Sequence, residues 1–347
     1  MAAPVFSGDQ IVYLSAGKHI TVFQVDASSG ELSEIQKIEG GGPSVLSPDH
    51  SHLYSRGSVL SSFAVGKDGK LTLLNQTDVG KGGSYLDIDK NGRFLASSDY
   101  GAGTVSIWSV EADGSSKGKL IQMMELEKRA HSSVFSNDNR FLLVPATGPN
   151  KVFQLKFDEK SGKVTPNDPP FAEGPTQPRF AQQPRHIVFH PNGKVAYTTQ
   201  EREMPGVGMW KWDAEKGDLE LQHTIVTLPD GFEGSITTAD LHLTPDAKFL
   251  YVSNRDLTDR KAKSGRSSIV RFAIGKEGEM SFLGHTDCEH IPRSFAIDSA
   301  GEFLYVAGQM ADKLGVYRID SRTGNLKRVQ QLETELKPSW VTCLTLP

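Results

Sequence analysis

The chain has 347 residues, of which 37% are hydrophobic and 23% are charged, which is the composition of an ordinary globular protein. Its formal net charge of −4 excludes a global electrostatic attraction to nucleic acid or to an anionic membrane, so we expect neither as a partner. No apolar run approaches the roughly 20 residues that a membrane helix needs, and the two cysteines, Cys288 and Cys343, form neither a metal-ligand spacing nor a disulfide framework.

The first predicted elements are three strands in residues 11–35, IVYLSAGKHITVFQVDASSGELSEI. Alternation of apolar and polar residues continues along the chain, and no long window shows a helical stripe. From residue 42 onward the sequence contains six repeats of a unit of four predicted strands, at a spacing of roughly 42 to 54 residues. Its first strands and their turns read GPSVLSPDH, GSYLDIDKNGR, HSSVFSNDNR, PRHIVFHPNGK, ADLHLTPDAK and PRSFAIDSAGE. Four strands at this period are typical of a β-propeller blade.

In each unit the turn leads into a second strand, such as FLYVSN or FLYVAG, and the third strand carries a large residue near its middle. The aromatic residues at that position are Phe23, Phe63, Trp108, Trp210, Phe272 and Tyr317. Such rings could stack bases, but a bulky residue that recurs in successive units is better explained as a filler between neighbouring blades. We therefore predict that these side chains pack in the core.

The C-terminal segment SWVTCLTL, residues 339–346, reads as one more strand. The three N-terminal strands lack the first strand of the repeat, so the C-terminal strand could complete their blade and remove an open sheet edge. We predict an all-β fold, a seven-bladed β-propeller of four-stranded antiparallel blades, whose ring is closed by the N- and C-terminal strands. We expect a single domain over residues 1–347.

Polar residues recur at one end of the hairpins that the first two strands of each unit should form. About eight residues before the turn lie Ser84, His131, Arg185, Ala239 and Arg293, and about eight residues after it lie Tyr100, Thr147, Glu201, Arg255 and Gln309. Positions equidistant from the turn lie opposite each other in an antiparallel hairpin. The predicted facing pairs are therefore His131 with Thr147, Arg185 with Glu201, and Arg293 with Gln309. Because first strands line the channel of a propeller, we expect these ends to form one polar rim.

Other titratable residues lie near these strands. Asp240 and His242 occupy alternate positions and should share one face of their strand, where they would bind substrate, although His242 also fits a structural role. His186, next to Arg185, should point to the opposite face and lie between blades. His190 lies beside the turn at the far end, where we expect no functional role.

Two segments near the rim are long. Residues 255–268, RDLTDRKAKSGRSS, carry several basic side chains and read either as a lid that attracts an anion or as a mobile, solvated loop. Residues 161–182 are expanded between two of the repeated units.

The residue types at the rim limit the chemistry. The sequence has no GxSxG motif, no cysteine near the rim and no carboxylate–histidine cluster typical of a metal site, which disfavours a covalent or metal-dependent hydrolase. We therefore expect no metal and no cofactor. Arginines with one imidazole and one carboxylate suit attack of water on an activated acyl group in an anionic substrate. A His or Glu side chain can take the proton of water, and guanidinium groups can bind an oxyanion and a phosphate or carboxylate.

Several of these segments resemble one family over essentially the entire chain. They are HSSVFSNDNRFLLVP, GPTQPRFAQQPRHIVFHPNGKVAYTTQE, TTADLHLTPDAKFLYVSNRD, PRSFAIDSAGEFLYVAGQ and the closing PSWV. The family is that of the seven-bladed lactonases, which contains the propeller-type bacterial 6-phosphogluconolactonases and the fungal carboxy-muconate cyclases. The resemblance implies a catalytic group of His131, Arg185, Glu201 and Arg255. The sequence departs from the compact bacterial lactonases in its longer loop after Arg255 and in the expanded residues 161–182.

The resemblance implies hydrolysis of a small anionic lactone, 6-phospho-glucono-1,5-lactone or a related sugar lactone. His131 or Glu201 would be the general base, with His131 favoured because the ordinary pKa of imidazole lies nearest neutrality. Arg185 would bind the carbonyl oxyanion, and Arg255 and Arg293 would bind the phosphate with help from Gln309. The alternatives are a cycloisomerase acting on a carboxylated muconate, and a non-catalytic propeller that binds an anionic partner.

The opening residues, MAAPVFSG, lack the charged and apolar segments of a signal peptide, and the chain is poor in thiols. We therefore expect a cytoplasmic protein. We also expect a monomer or a weak homo-oligomer.

Overall fold

The computed structural model describes residues 9–80, 82–177 and 180–346. Within these residues the chain forms thirty β-strands and no helix. The strands are β1 (Gln10–Ala16), β2 (His19–Val25), β3 (Leu32–Glu39), β4 (Ser44–Leu46), β5 (His52–Arg56), β6 (Val59–Val65), β7 (Leu71–Asp78), β8 (Tyr85–Ile88), β9 (Phe94–Asp99), β10 (Thr104–Ser109), β11 (Leu120–Glu125), β12 (Val134–Phe135), β13 (Phe141–Ala146), β14 (Lys151–Asp158), β15 (Lys163–Glu173), β16 (Thr176–Gln177), β17 (Phe180–Ala181), β18 (Pro184–Phe189), β19 (Val195–Gln200), β20 (Gly206–Asp213), β21 (Asp218–Val226), β22 (Ile236–Leu243), β23 (Phe249–Asp256), β24 (Ser268–Ile274), β25 (Met280–Asp287), β26 (Pro292–Ile297), β27 (Phe303–Gly308), β28 (Lys313–Ile319), β29 (Leu326–Glu333) and β30 (Trp340–Thr345).

These strands form seven four-stranded antiparallel sheets. Six sheets take four consecutive strands in sequence order: β4–β7, β8–β11, β12–β15, β18–β21, β22–β25 and β26–β29. The seventh has the order β3-β2-β1-β30, with Gln10 opposite Thr345 and Ser15 opposite Trp340. The predicted completion of the N-terminal sheet by the C-terminal strand is therefore confirmed. A small extra sheet pairs β16 with β17 in the expanded segment.

The described chain falls into two compact units. The first unit takes the residues up to Gly41, Val65–Leu71 and those from Thr227 onward, and the second takes Gly42–Ala64 and Thr72–Val226. In the first unit β26 lies beside both β22 and β30, and in the second unit β8 lies beside both β4 and β12. The first strands of successive sheets are thus neighbours within each unit. The expectation of a single domain over residues 1–347 stays a prediction.

The core lies between neighbouring sheets. In the second unit, for example, Phe94 and Ile107 of the β8–β11 sheet form one apolar cluster with Phe135 and Leu155 of the next sheet. The six large third-strand residues identified in the sequence are at most 7% exposed. Their predicted packing role is confirmed. No helix in the described part of the chain is long and apolar enough to cross a membrane.

Trp210 shows how a third-strand residue stabilises the fold. Its ring is completely buried in a cluster with Phe189 and Trp212, and its Nε1 donates a 2.7 Å hydrogen bond to Thr198 Oγ1. We expect Trp210→Ala to lower the free energy of unfolding by about 3–5 kcal/mol, because it leaves a large cavity. Urea unfolding measures this effect. The matched control is Phe282→Ala, which removes a ring that is 47% exposed and should change stability far less; equal losses for the two variants would contradict this packing role.

The turns between first and second strands are sharp. In five of these turns one residue has a positive φ: Gly92 (70°), Asn139 (63°), Gly193 (70°), Ala247 (54°) and Gly301 (70°). A left-handed residue here closes a tight hairpin, so the strands start as regular pairs at this end. Irregularities appear at the other end, where the polar residues lie.

Candidate active site

A β-bulge interrupts three hairpins at the end that carries the polar residues. In the β18–β19 hairpin, Pro184 pairs with Gln200 and Ile187 with Thr198, so the two residues between them, Arg185 and His186, form the bulge. Similar shifts lie between Thr238 and Leu241 and between Pro292 and Ser294. Bulges re-aim side chains and are frequent beside functional sites. They recur here on first strands, at or beside the residues that the sequence identified.

The predicted facing pairs are wrong. In the regular part of the β18–β19 hairpin Ile187 pairs with Thr198, one residue away from the predicted register, and the bulge adds a second residue. The amide of Glu201 donates to the carbonyl of Gln183, and the amide of Gln309 donates to that of Ile291. In the same way Thr147 donates to the carbonyl of Arg129 rather than pairing with His131. Each partner lies two residues before the predicted one. The sequence analysis assumed regular pairing along the whole hairpin, and regular pairing does not allow for this shift.

Arg185 and Glu201 nevertheless approach each other. Arg185 Nε lies 3.9 Å from Glu201 Oε1, and the two residues are 1% and 5% exposed. A buried ion pair costs much desolvation energy and is weak evidence for a stability role. Its presence at the end of a strand pair therefore favours a functional role.

His186 contacts residues of two other sheets, in line with its predicted position between blades, but it also lies beside Arg185, away from which it was expected to point. Arg185 Nη1 lies 3.1 Å from His186 Nε2, and the imidazole is edge-on to the rings of Tyr85 and His131, each with a centroid distance of 5.1 Å. The reason is the bulge, which lets two consecutive side chains interact where a regular strand would point them to opposite faces. Sequence analysis missed His186 and Tyr85. The only sequence signal was the adjacent Arg-His pair after a proline, which cannot donate to the ladder.

His131 completes this group in the second unit. It precedes β12, is 4% exposed, and packs edge-on against the rings of His186 and Tyr100, the latter at 5.4 Å. Its strand is tied to the next sheet by Ser132, whose hydroxyl donates a 3.0 Å hydrogen bond to the carbonyl of Arg185. The structure therefore brings together His131, Arg185 and Glu201, three of the four predicted catalytic residues, and adds His186.

The other predicted residues lie in the first unit. Arg255, at the end of β23, is buried and donates from Nη2 to the carbonyl of Thr238 at 3.1 Å. Arg293 lies at the bulge of β26 and Gln309 follows β27, and both are half-buried. Their roles in substrate binding stay predictions.

Asp240 and His242 share a face, as predicted. His242 Nε2 lies 3.3 Å from Asp240 Oδ2, and the imidazole packs against Phe295. The same Asp240 oxygen accepts a hydrogen bond from the amide of Phe295 on the neighbouring first strand, at 3.2 Å.

Asp87 makes the equivalent contact in the second unit, where its Oδ2 accepts from the amide of Phe135 at 2.9 Å. Burial raises the pKa of Asp87. Two aspartates at matching places on first strands thus link neighbouring sheets. This shared contact favours a structural role for Asp240.

The basic loop after β23 is held by several contacts. Arg266 lies over the ring of Phe232 at 4.1 Å and donates to the carbonyl of Glu233 at 2.5 Å. Lys263 forms an ion pair with Asp312, and His290 Nε2 lies 3.2 Å from the carbonyl of Asp259. These contacts favour a fixed loop over the mobile one considered from the sequence.

The expanded segment is attached beside the Arg185 bulge. Asn150 donates from Nδ2 to the carbonyl of Gly174 at 2.8 Å, and its Oδ1 accepts from the amide of Gln183 at 2.8 Å. Gln182 Nε2 donates to the carbonyl of Met204. The segment therefore approaches the candidate site through the residues that precede β18.

Neither cysteine has the properties of a nucleophile. Burial raises the pKa of Cys288 and of Cys343 well above the usual value, which disfavours the reactive thiolate. Among residues 9–80, 82–177 and 180–346, no group of three or more His, Cys, Asp or Glu side chains comes together as a metal site would require.

An open cleft of about 620 Å³ lies next to the His131 group in the second unit. It is lined by Leu126, Glu127, Lys128, Arg129, Gly148 and Pro149. The amide of Arg129 donates to the carbonyl of Tyr100, whose ring contacts His131. Glu127 is neutralised by Lys151 at 2.6 Å, whereas Lys128 and Arg129 form no ion pair with any carboxylate in the described part of the chain. The cleft is therefore positively charged.

Known proteins match this chain over almost its full length. A family described as lactonase, 7-bladed beta-propeller, matches residues 11–343. The 6-phosphogluconolactonase of Yersinia pseudotuberculosis serotype O:3 (strain YPIII) is 31% identical over 344 residues, which cover 96% of this chain and 97% of that protein. The 6-phosphogluconolactonase of Pectobacterium carotovorum subsp. carotovorum (strain PC1) is 31% identical over 346 residues, with 97% and 99% coverage. Among solved structures, a periplasmic gluconolactonase of Pseudomonas aeruginosa superposes with a TM-score of 0.86 at 25% identity, covering 98% of this chain and all of that one.

The fold and these matches define the class of protein. The chain is all-β, with seven four-stranded antiparallel blades arranged as a β-propeller, as the repeat predicted. Because the family match and the relatives both extend over nearly the whole chain, it belongs to the lactonase family of seven-bladed β-propellers.

Proposed function

We propose that this chain is a carboxylic ester hydrolase that opens 6-phospho-glucono-1,5-lactone to 6-phosphogluconate without a metal or cofactor. The observation that carries this proposal is the buried Arg185–Glu201 pair beside two imidazoles, next to a positively charged cleft. The names of the relatives support the same substrate. Such an activity would belong to the pentose phosphate pathway.

The reaction needs a base and an oxyanion site. The oxygen of water attacks the lactone carbonyl carbon, and the base takes one proton of that water. The tetrahedral intermediate carries its negative charge on the former carbonyl oxygen, where an Arg185 guanidinium can stabilise it in a water-poor environment. Collapse of the intermediate breaks the ring carbon–oxygen bond, and the ring oxygen takes the proton that the base removed from water.

The base is His131 or Glu201. The Glu201 carboxylate lies against the Arg185 guanidinium, whose charge it balances. This contact favours His131 as the base. In the same proposal Arg255 and Arg293 bind the phosphate with help from Gln309, while Asp240 and His242 support the substrate-binding surface.

A direct assay tests the proposal. Freshly generated 6-phospho-glucono-1,5-lactone is mixed with the protein in a stopped-flow instrument, and acid release is corrected for spontaneous ring opening. We expect opening to accelerate in proportion to protein concentration. A carboxylated muconate tested in parallel should keep its ultraviolet absorbance. The proposal fails if the lactone opens at the spontaneous rate, or if the muconate is the compound consumed.

The positively charged cleft predicts a preference for a charged substrate. For the double variant Lys128→Gln/Arg129→Gln we expect kcat/KM for the phosphorylated lactone to fall by about tenfold at low ionic strength, because electrostatic attraction raises association rates. Added salt should shrink the difference, and glucono-1,5-lactone, which has no phosphate, should be unaffected. The control Lys194→Gln/Lys211→Gln removes two exposed charges of the β19–β20 hairpin elsewhere. An equal loss with both lactones, or in the control, would count against attraction by the cleft.

We also propose that the protein acts in the cytoplasm, as a monomer or weak homo-oligomer. The Pseudomonas aeruginosa relative is named as periplasmic, so the location needs its own measurement. Fractionation of the source cells and light scattering of the purified protein test these two statements. Recovery in a periplasmic fraction would contradict the first, and a stable oligomer the second.

A further inference from the structure

His186 is a buried imidazole that lies against a guanidinium. The residue is 2% exposed, and Arg185 Nη1 lies 3.1 Å from its Nε2 atom. Guanidinium nitrogens only donate hydrogen bonds. His186 Nε2 must therefore accept, so the ring in this arrangement is neutral and carries its proton on Nδ1.

The groups around His186 make a second positive charge costly. Arg185 faces it from its own strand, the imidazole of His131 faces it from the neighbouring sheet, and the phenol of Tyr85 faces it from the sheet beyond. Glu201 lies on the other side of Arg185, with 3.9 Å between Glu201 Oε1 and Arg185 Nε. Protonation of His186 Nε2 would replace its acceptor by a donor and place two cations in contact.

We propose that neutral His186 is a positioning residue that holds the Arg185 guanidinium for oxyanion binding, and that protonation of His186 releases it. The inference rests on the proposed function of the same site. It gives the site a proton-dependent control separate from the general base. Turnover should fall at acid pH for two reasons, loss of the base and loss of the Arg185 position.

Two variants of His186 distinguish the contribution of its aromatic ring from that of its hydrogen-bond acceptor. His186→Phe keeps an aromatic ring against Tyr85 and His131 but has no acceptor, and we expect kcat to fall by about ten- to a hundredfold with little change in KM. His186→Gln offers an amide oxygen that can accept from Arg185 and cannot be protonated near neutral pH, so it should retain most of the activity. The matched control is His190→Phe, a buried histidine at the far end of the same hairpin, whose Nδ1 accepts from the amide of Asn192. It should keep the wild-type kcat.

The pH profile supplies a readout that packing alone would not change. The acid limb of log kcat against pH should be steeper in the wild type than in His186→Gln by about one unit of slope, because one essential protonation is gone. Equal slopes would overturn the proposal. So would wild-type kcat in His186→Phe, or an equal loss in the Phe and Gln variants.

Nitrogen-15 NMR of labelled histidine tests the inference without any activity. At neutral pH we expect the His186 signal of the Nδ1–H tautomer, and the Arg185 Nε–H resonance should move as His186 titrates. An Nε2–H tautomer or a protonated ring at neutral pH would overturn the inference. If the protein opens no lactone but shows these signals, the proposed function fails and the Arg185–His186 contact stands.

Discussion

Replacing Arg185 by alanine is expected to lower kcat for lactone opening by about 10²–10³-fold, the usual cost of losing an oxyanion donor. KM should change less, because the guanidinium binds the charge that develops only in the transition state. Steady-state kinetics on fresh lactone measure both constants. Arg140→Ala is a suitable control, since Arg140 lies near the turn of another hairpin, is exposed, and is paired with Asp138. The oxyanion role fails if Arg185→Ala turns over at the wild-type rate.

The same variant should lose stability for a separate reason. Without Arg185, the buried Glu201 carboxylate loses a cationic neighbour, and breaking a buried pair costs about 3–5 kcal/mol. Arg185→Ala/Glu201→Gln removes that charge as well, so it should unfold at higher urea than Arg185→Ala and remain as slow a catalyst. Recovery of turnover along with stability would mean that Arg185 acts through folding alone.

Replacing His131 by glutamine is expected to lower kcat by about 10²–10⁴-fold, the range for loss of a general base. Glu201→Gln should cost less, because the Glu201 carboxylate lies against Arg185 and not at the attacking water in this mechanism. The pH dependence separates the two residues: an imidazole base produces an acid limb near neutrality, and His131→Gln should remove it. If Glu201→Gln is the slower variant and His131→Gln keeps the acid limb, Glu201 is the base.

The repeat carried most of the fold information. The alternation of apolar residues predicted four strands per unit, buried large residues on the third strands, and an N-terminal sheet that lacks its first strand. The structure confirms the four-stranded sheets, the burial of these residues and the completion of the N-terminal sheet by β30. Trp210 and Tyr317 are examples whose burial follows from their place in the repeat. A regular period can be recognised in the sequence because each unit needs apolar residues at the same positions to pack against its neighbours.

The contacts within the site were harder to predict from the sequence, because they depend on irregularities that interrupt the repeat. Counting from the turn identified Arg185, Glu201 and His131, but it gave them the wrong partners, since bulges shift the register near the strand ends. His186 was assigned to the opposite face for the same reason. The contact of Lys263 with Asp312 joins residues far apart in the sequence, and alternation within a strand contains no information about it.

The pairing of β1 with β30 has a consequence for biosynthesis. Strand Gln10–Ala16 is synthesised before β2–β29, whereas its partner Trp340–Thr345 is synthesised after them. The edge of β1 that pairs with β30 therefore has no native partner while β2–β29 are made, and an open edge invites pairing with other chains. Contacts between such distant residues also form slowly. This edge of β1 should thus need shielding until β30 emerges.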